Sequence, residues 1–282
     1  MKSGDTRNVR KAKQSSILNP QSSIRSIGVF DSGVGGLTVF REIARALPGE
    51  PLIYLGDSAR VPYGTKSPST IIRYALEAAR HLISRDVKML VVACNTATAA
   101  ALPVLQEQLT IPVIGVVEPG ARAAVAVTSG VVGVIATEGT VRSKAYTKAI
   151  HALNPGIEVI ESAAPLFVPL AEEGWANTHV AREVAEIYLE PLIDAGIDTL
   201  VLGCTHYPIL RGTIEKVVGD KVKIVDSAET TAQTVKEALG SSANLSDPRR
   251  QFLVTDAEER FRRIAGEFLE QEIEHLELVT LG

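Results

Sequence analysis

Cys94 and Cys204 are the only cysteines in the chain, and each closes a similar phrase of residues. The first reads Met89-Leu-Val-Val-Ala-Cys94-Asn95-Thr96 and the second Thr199-Leu-Val-Leu-Gly-Cys204-Thr205-His206. In both, an apolar run of the kind that forms a strand buried on two faces ends on a small residue, then Cys, then polar side chains able to cap a helix. Ligands of open parallel sheets bind in the crevice beyond the carboxyl ends of the strands, so both sulfurs are expected there. A thiol among helix N-terminal amides is favoured as the thiolate, below its free pKa of about 8.5. Two such groups facing each other could act on one small molecule from opposite sides. Of the five histidines, His206 alone adjoins a candidate nucleophile or base. There it either holds a proton and favours the thiolate, or serves as a capping histidine on a backbone carbonyl.

The elements that must position these residues follow from hydrophobic patterning. Short apolar runs at 27–30, 52–55, 88–93, 113–117, 131–136, 157–160, 199–202, 222–225 and 251–254 read as strands. Between them, 37–47, 68–85, 121–127, 141–153, 180–195, 209–218, 230–239 and 257–269 read as helices. Strict alternation of the two predicts an α/β chain with two similar domains, each a mainly parallel sheet flanked by helices, and a cleft between them. The repeated cysteine phrase divides the series. The expected division is a first domain of residues 27–117 plus 228–282 and a second of 118–227, with crossings near Val117-Glu118-Pro119-Gly120 and Asp226-Ser227. Pro103 conflicts with a helix begun at Thr96, because proline in a helix interior costs about 3 kcal/mol. Either a turn follows Cys94 and the helix starts near Leu102, or the helix is kinked.

Composition narrows the class. At 45% hydrophobic content the chain can bury a full core, and a net charge of −4 provides no electrostatic footprint for nucleic acid. No apolar stretch approaches the roughly 20 residues of a membrane span. Two cysteines in a chain this long read as thiols of a reducing, cytoplasmic compartment rather than a disulfide scaffold. Residues 1–26 carry Lys2, Arg7, Arg10, Lys11, Lys13 and Arg25 with one acid, Asp5, and lack the apolar middle of a secretory signal. They read as a solvated basic tail.

Asp31-Ser32-Gly33-Val34-Gly35-Gly36-Leu37-Thr38 follows the first strand, where glycines let a ligand approach the backbone and a helix start offers N–H groups. A dinucleotide fingerprint, with Asp57 as its ribose-binding acid, fails because Thr38 stands where the third glycine belongs. Asp31 either caps the turn or faces a ligand. Arg60-Val-Pro62-Tyr63-Gly64-Thr-Lys66 is a turn signal with one aromatic. Ser32, Asn95, Thr96 and Thr205 are short polar side chains suited to a carboxylate or an ammonium group. Against a reactive pair stand three other readings of the cysteines: inert buried thiols, a metal site lacking further ligands at close spacing, and a disulfide that would close the crevice.

Asp31-Ser-Gly-Val-Gly-Gly-Leu-Thr38, Pro62-Tyr63-Gly64, Ala93-Cys94-Asn95-Thr96-Ala97 and Leu202-Gly203-Cys204-Thr205-His206-Tyr207-Pro208 together resemble the glutamate racemases of the aspartate/glutamate racemase superfamily. The resemblance runs from about Ile27 to the C-terminus. It implies interconversion of L- and D-glutamate without pyridoxal phosphate, metal or other cofactor, supplying D-glutamate for peptidoglycan. It implies further that Cys94 removes the α-proton of D-glutamate while Cys204 delivers one from the other face, with the roles reversed for L-glutamate. Asp31 and His206 resemble the residues that assist the two thiols, Asp57 matches a further position of importance, and Glu172, rather than Glu173, corresponds to an acid near the second cysteine. Ser32, Tyr63, Gly64, Asn95, Thr96 and Thr205 correspond to substrate contacts, as do Asp31 and His206, with Thr140 preferred to Thr137 in a further ligand loop. The expected partner is the small-molecule substrate, without nucleic acid or membrane, and a homodimer is compatible with the sequence. The alternatives are racemisation of aspartate or another acidic amino acid, and a non-catalytic ligand-binding protein of the same fold.

Overall fold

The computed structural model describes residues 25–240 and 248–282. The expected basic tail, with Lys2, Arg7, Arg10, Lys11 and Lys13, lies outside the described residues except for its last two. Arg25 donates to Asp86 at 2.9 Å and to the Val87 carbonyl at 2.8 Å, and Ser26 opens the first strand.

The apolar runs form two parallel sheets. The first contains β1 (Ser26–Asp31), β2 (Leu52–Gly56), β3 (Val87–Val92), β4 (Val113–Gly115), β9 (Arg250–Val254) and β10 (Leu276–Leu278), in the order β10-β9-β2-β1-β3-β4. The second contains β5 (Val131–Ala136), β6 (Glu158–Ala163), β7 (Thr199–Gly203) and β8 (Lys223–Asp226), in the order β6-β5-β7-β8. Every described pairing is parallel. Strands β1, β2, β3 and β7 are mostly apolar and almost wholly buried because helices cover both faces of their sheets.

The helices that matter to the crevice are α1 (Leu37–Ala46), α2 (Pro68–Ser84), α3 (Asn95–Gln108), α4 (Val117–Val127), α5 (Glu138–Ser143), α6 (Ala145–Leu153) and α7 (Phe167–Glu172). They are followed by α8 (His179–Asp194), α9 (Arg211–Val218), α10 (Ser227–Leu239) and α11 (Glu258–Leu269). Several depart from the expected boundaries. Helix α3 begins at Asn95 and runs through Pro103, which removes the option of a start near Leu102. Helix α4 begins four residues early, at Val117, because Pro119 falls in its first turn, where the missing N–H would have no partner anyway. The expected helix over 141–153 is broken by Lys144, whose left-handed backbone (φ 56°) separates α5 from α6. The segment expected as a helix from 209 opens as a 3-10 turn, Tyr207–Leu210, before α9.

One apolar cluster runs through both sheets, joining Ile27, Val29 and Leu37 of the first to Leu200, Leu202 and Tyr207 of the second. Helix α10, which follows the last strand of the smaller sheet, packs on α1. Beneath α1, the ring of Phe40 lies 5.1 Å from Phe252 and meets Tyr54 edge-on at 5.9 Å. Phe40→Ala would empty a fully buried aromatic site and should cost about 3–5 kcal/mol. Urea unfolding would read this as a lowered midpoint, and a loss below about 1 kcal/mol would contradict the packing described.

Candidate active site

Strand β3 delivers Cys94 to the carboxyl edge of the larger sheet, where it caps α3 and its sulfur accepts from the Ala97 N–H at 3.4 Å. The helix dipole therefore favours the thiolate, as expected from the sequence, but two stronger effects oppose it. Burial, and then the negative charge of Asp31, push the Cys94 thiol up to about 12, with the Ser32 hydroxyl and the Ala97 amide pulling only partly back. The expectation of a lowered value at Cys94 is corrected accordingly. Asp31 is itself wholly buried, and burial raises its carboxyl, offset in part by His206 and by the amides of Gly33, Gly36 and Ser32. Its Oδ2 accepts from the Gly33 N–H at 2.8 Å, while Oδ1 has no partner among the described residues.

Strand β7 delivers Cys204 to the corresponding edge of the smaller sheet. Its sulfur lies 3.9 Å from His206 Nδ1, and His206 Nε2 lies 3.1 Å from Glu172 Oε1 on α7. Glu172 Oε2 in turn accepts from Arg260 of α11 at 2.8 Å. Burial alone would push His206 down, but its contacts with the Cys204 sulfur and the Glu172 carboxylate outweigh that and raise it to about 10. Glu172 responds in the opposite sense. Burial would raise it, yet hydrogen bonds and charge from His206 and Arg260 bring it to about 2. Glu173 points instead toward Arg260 at 3.4 Å and Arg263 at 3.9 Å, so Glu172 is the acid of this group.

The two edges meet at one cavity. Cys94 and Cys204 both line it, in an empty volume of about 500 Å³ that is partly open to solvent. Ser32, Tyr63, Gly64, Asn95, Thr96, Thr205, His206 and Glu172 also line it. Asp31, Asp57 and Thr140 do not; they stand behind the wall. Asn95 Oδ1 accepts from Tyr146 at 2.7 Å, and its Nδ2 is a buried donor without a partner among the described residues. Thr96, Thr137 and Thr140 form a cluster of hydroxyls, with Thr96 2.8 Å from Thr137 and 3.4 Å from Thr140. Thr96 and Thr137 line the cavity, and Thr140 stands behind them within the same cluster. Tyr63 donates to the buried carboxylate of Asp57, which also accepts from Arg60 at 2.7 Å and Thr255 at 3.1 Å. Asp57 thus fixes the Tyr63 loop rather than touching the cavity.

Both cysteines are free thiols, which sets aside the disulfide reading. No group of three or more His, Cys, Asp or Glu among the described residues is placed to hold a metal ion, and no described helix is long and apolar enough to cross a membrane. Chemically, the cavity offers a sulfur on each side, an acid behind one and an imidazole beside the other.

Residues 27–235 match the sequence pattern of the family described as Asp/Glu/Hydantoin racemase. The chain belongs to that family. It is 58% identical over 250 residues to a glutamate racemase of Geobacter metallireducens, covering 87% of this chain and 93% of that one. Among solved structures it is similar to glutamate racemase isoform RacE1 of Bacillus anthracis, at a TM-score of 0.86 and 43% identity, covering 91% of this chain and 97% of that chain. It is equally similar to the Francisella tularensis glutamate racemase in complex with D-glutamate, at 0.86 and 42% identity, covering 91% and 98%.

As a racemase-family chain, it carries site residues that sequence reasoning passed over. Val61, Pro62 and Val168 supply apolar wall, and the turn composition around residue 62 held the only signal for the first two. Tyr146 and Arg260 carried none, since one reads as helix core and the other as a solvated charge. The His206–Glu172 contact leads to a spectroscopic expectation. Because the folded value lies above the ordinary 6.5, the protonated imidazole stabilises the fold fully below pH 6.5, and that contribution is lost as pH rises through about 10. In NMR titrations His206 should remain doubly protonated at neutral pH, and Glu172→Gln should move its midpoint down toward 6.5. An unmoved midpoint would contradict the contact.

Proposed function

We propose that the chain interconverts L- and D-glutamate by moving the α-proton between two cysteines, without a cofactor. The reading rests above all on one observation, that Cys94 and Cys204 line the same cavity from the edges of different sheets. The relatives reported above support glutamate as the substrate.

An α-proton beside a carboxylate is weakly acidic, so its removal needs a base on one face, an acid on the other, and donors for the charge that develops on the carboxylate. With L-glutamate bound, the Cys204 thiolate, paired with the His206 imidazolium, takes the proton as the C–H electron pair moves toward the carboxylate. The Cys94 thiol then gives its proton to the opposite face. Cys204 ends as the thiol and Cys94 as the thiolate, which is the state that accepts D-glutamate. The raised value at Cys94 keeps it protonated in the empty site, as the first half of this cycle requires. In the reverse direction the substrate ammonium favours the Cys94 thiolate by opposite charge.

Asn95 Nδ2 and the N–H groups of the glycine loop are the donors best suited to the developing charge. Ser32, Thr96, Thr205 and the Tyr63-Gly64 loop complete the wall against which the substrate is held. Asp31 assists Cys94 from behind, and His206 with Glu172 assists Cys204. We further assign the D-glutamate formed to peptidoglycan synthesis and the enzyme to the cytoplasm.

Purified protein without added cofactor should abolish the optical rotation of D-glutamate and incorporate solvent deuterium at the α-carbon. Cys94→Ala and Cys204→Ala should each lower turnover by about 10²–10⁴-fold, the range for loss of a positioned acid or base. Preserved turnover in either variant would reject the two-cysteine mechanism, and faster exchange with aspartate than with glutamate would reject the substrate.

A further inference from the structure

We propose that Arg260 is a positioning residue for the Cys204 side of the site, holding Glu172 in the orientation from which it supports His206. Glu172 uses its two oxygens on different partners, Oε1 on His206 Nε2 at 3.1 Å and Oε2 on Arg260 Nη2 at 2.8 Å. A carboxylate bound at both oxygens has its terminal rotation fixed, so the geometry offered to the imidazole depends on the arginine. Remove that partner, and Oε2 is free to turn toward solvent, taking Oε1 off the line to His206.

The arrangement crosses between the sheets. Glu172, His206 and Cys204 all belong to segments around the smaller sheet, whereas Arg260 sits on α11, which follows β9 of the larger one. The same helix presents Phe268 edge-on to the His206 ring at 5.4 Å. Helix α11 therefore meets the relay at two points, one apolar and one charged. Arg260 also stands at the mouth of the site. A second hollow, lined by Arg260 and Phe261, shares Gly33, Val61 and Glu172 with the reaction cavity. The ion pair thus joins a segment of the smaller sheet to one of the larger, and the relay is complete only when α11 is seated.

The charged and titratable groups around this relay come from four segments. His206 faces Cys204 on its own loop, Glu172 on α7 and the charge of Asp31 on the glycine loop, while Glu172 faces His206 and, from α11, Arg260. Glu173 accepts from the same arginine at 3.4 Å and has Arg263 at 3.9 Å, so Arg263 serves as a neighbouring control that does not touch Glu172.

The inference rests on the reading that Cys204 is one of the two bases, and the test separates the two. Rates and pH profiles of kcat/KM would be compared for wild type, R260A, R260K, R263A, E172Q and the double variant R260A/E172Q. Enantiomers have equal free energies, so kcat/KM must fall equally in both directions, and the informative readouts are the pH profile and the double-variant cycle. R260A should lose about tenfold, the size expected when a charge-assisted hydrogen bond loses its orienting partner. Its alkaline limb should move to lower pH, as in E172Q, and the His206 NMR midpoint should fall with it. R260K should recover most of the loss and R263A should behave as wild type. On the E172Q background, adding R260A should change nothing further, because the arginine acts through that carboxylate. Equal losses in both backgrounds, or a wild-type limb and NMR midpoint in R260A, would overturn the proposal. Should Cys204→Ser racemise at the wild-type rate, the two-base reading itself falls; if that variant is inactive and R260A is unaffected, only the role of Arg260 is lost.

Discussion

The turn from β1 into α1 is the contact on which the site depends, because it lies against both cysteine loops at once. A methyl group added at Gly35 would collide with Thr205 and the His206 ring, and one added at Gly36 would collide with Asp31 and Ala93. The backbone at these two positions therefore comes closer to its neighbours than any side chain allows. Thr38, at the start of α1, donates to the Thr205 carbonyl at 2.9 Å and ties the same turn to the second motif.

The site so formed is chemically lopsided, because the two sulfurs have different neighbours. Asp31, at the end of β1, lies on the Cys94 side and its charge disfavours a second negative charge there. His206, from the second cysteine motif, lies on the Cys204 side, with Nδ1 3.9 Å from that sulfur. The two sulfurs therefore have unlike neighbours, a carboxylate behind one and an imidazole nitrogen 3.9 Å from the other. Burial does not distinguish the two, since both cysteines are nearly inaccessible to solvent.

Much of this was legible in the sequence for a definite reason. Strands covered on both faces leave long apolar runs, so β1, β3, β5 and β7 and the residues that end them stand out, and with them Asp31, Cys94 and Cys204. Segments whose form depends on neighbours did not. Strand β10 is three residues, Leu-Glu-Leu, at a sheet edge, and α7 is six residues around Pro169, too short for any period to register. Helix α3 was obscured by Pro103, whose local cost is offset by the burial of Ala97, Ala101 and Leu105 along the same helix. That Thr137 lines the cavity and Thr140 stands behind it depends on how α5 sits against α3 rather than on either residue. Arg260 was invisible for the same reason, because its partner Glu172 is distant in the chain.

A second layer explains why the wall residues can be short and polar without collapsing onto one another. Asp57 is wholly buried beneath the Tyr63 loop and is bound by Tyr63, Arg60 and Thr255, drawn from two loops of the larger sheet. Tyr146 plays the matching part under Asn95, taking one side of the amide and leaving Nδ2 for whatever enters the cavity. A buried polar group lacking partners costs about 1–3 kcal/mol, so each satisfied contact behind the wall makes the remaining unsatisfied atoms more sharply directional toward a ligand. Asn95 Nδ2, on the cavity wall, and Asp31 Oδ1, behind it, are buried polar atoms without a partner among the described residues. The polar wall of the cavity and the placement of the two thiols are thus set by the same strand ends.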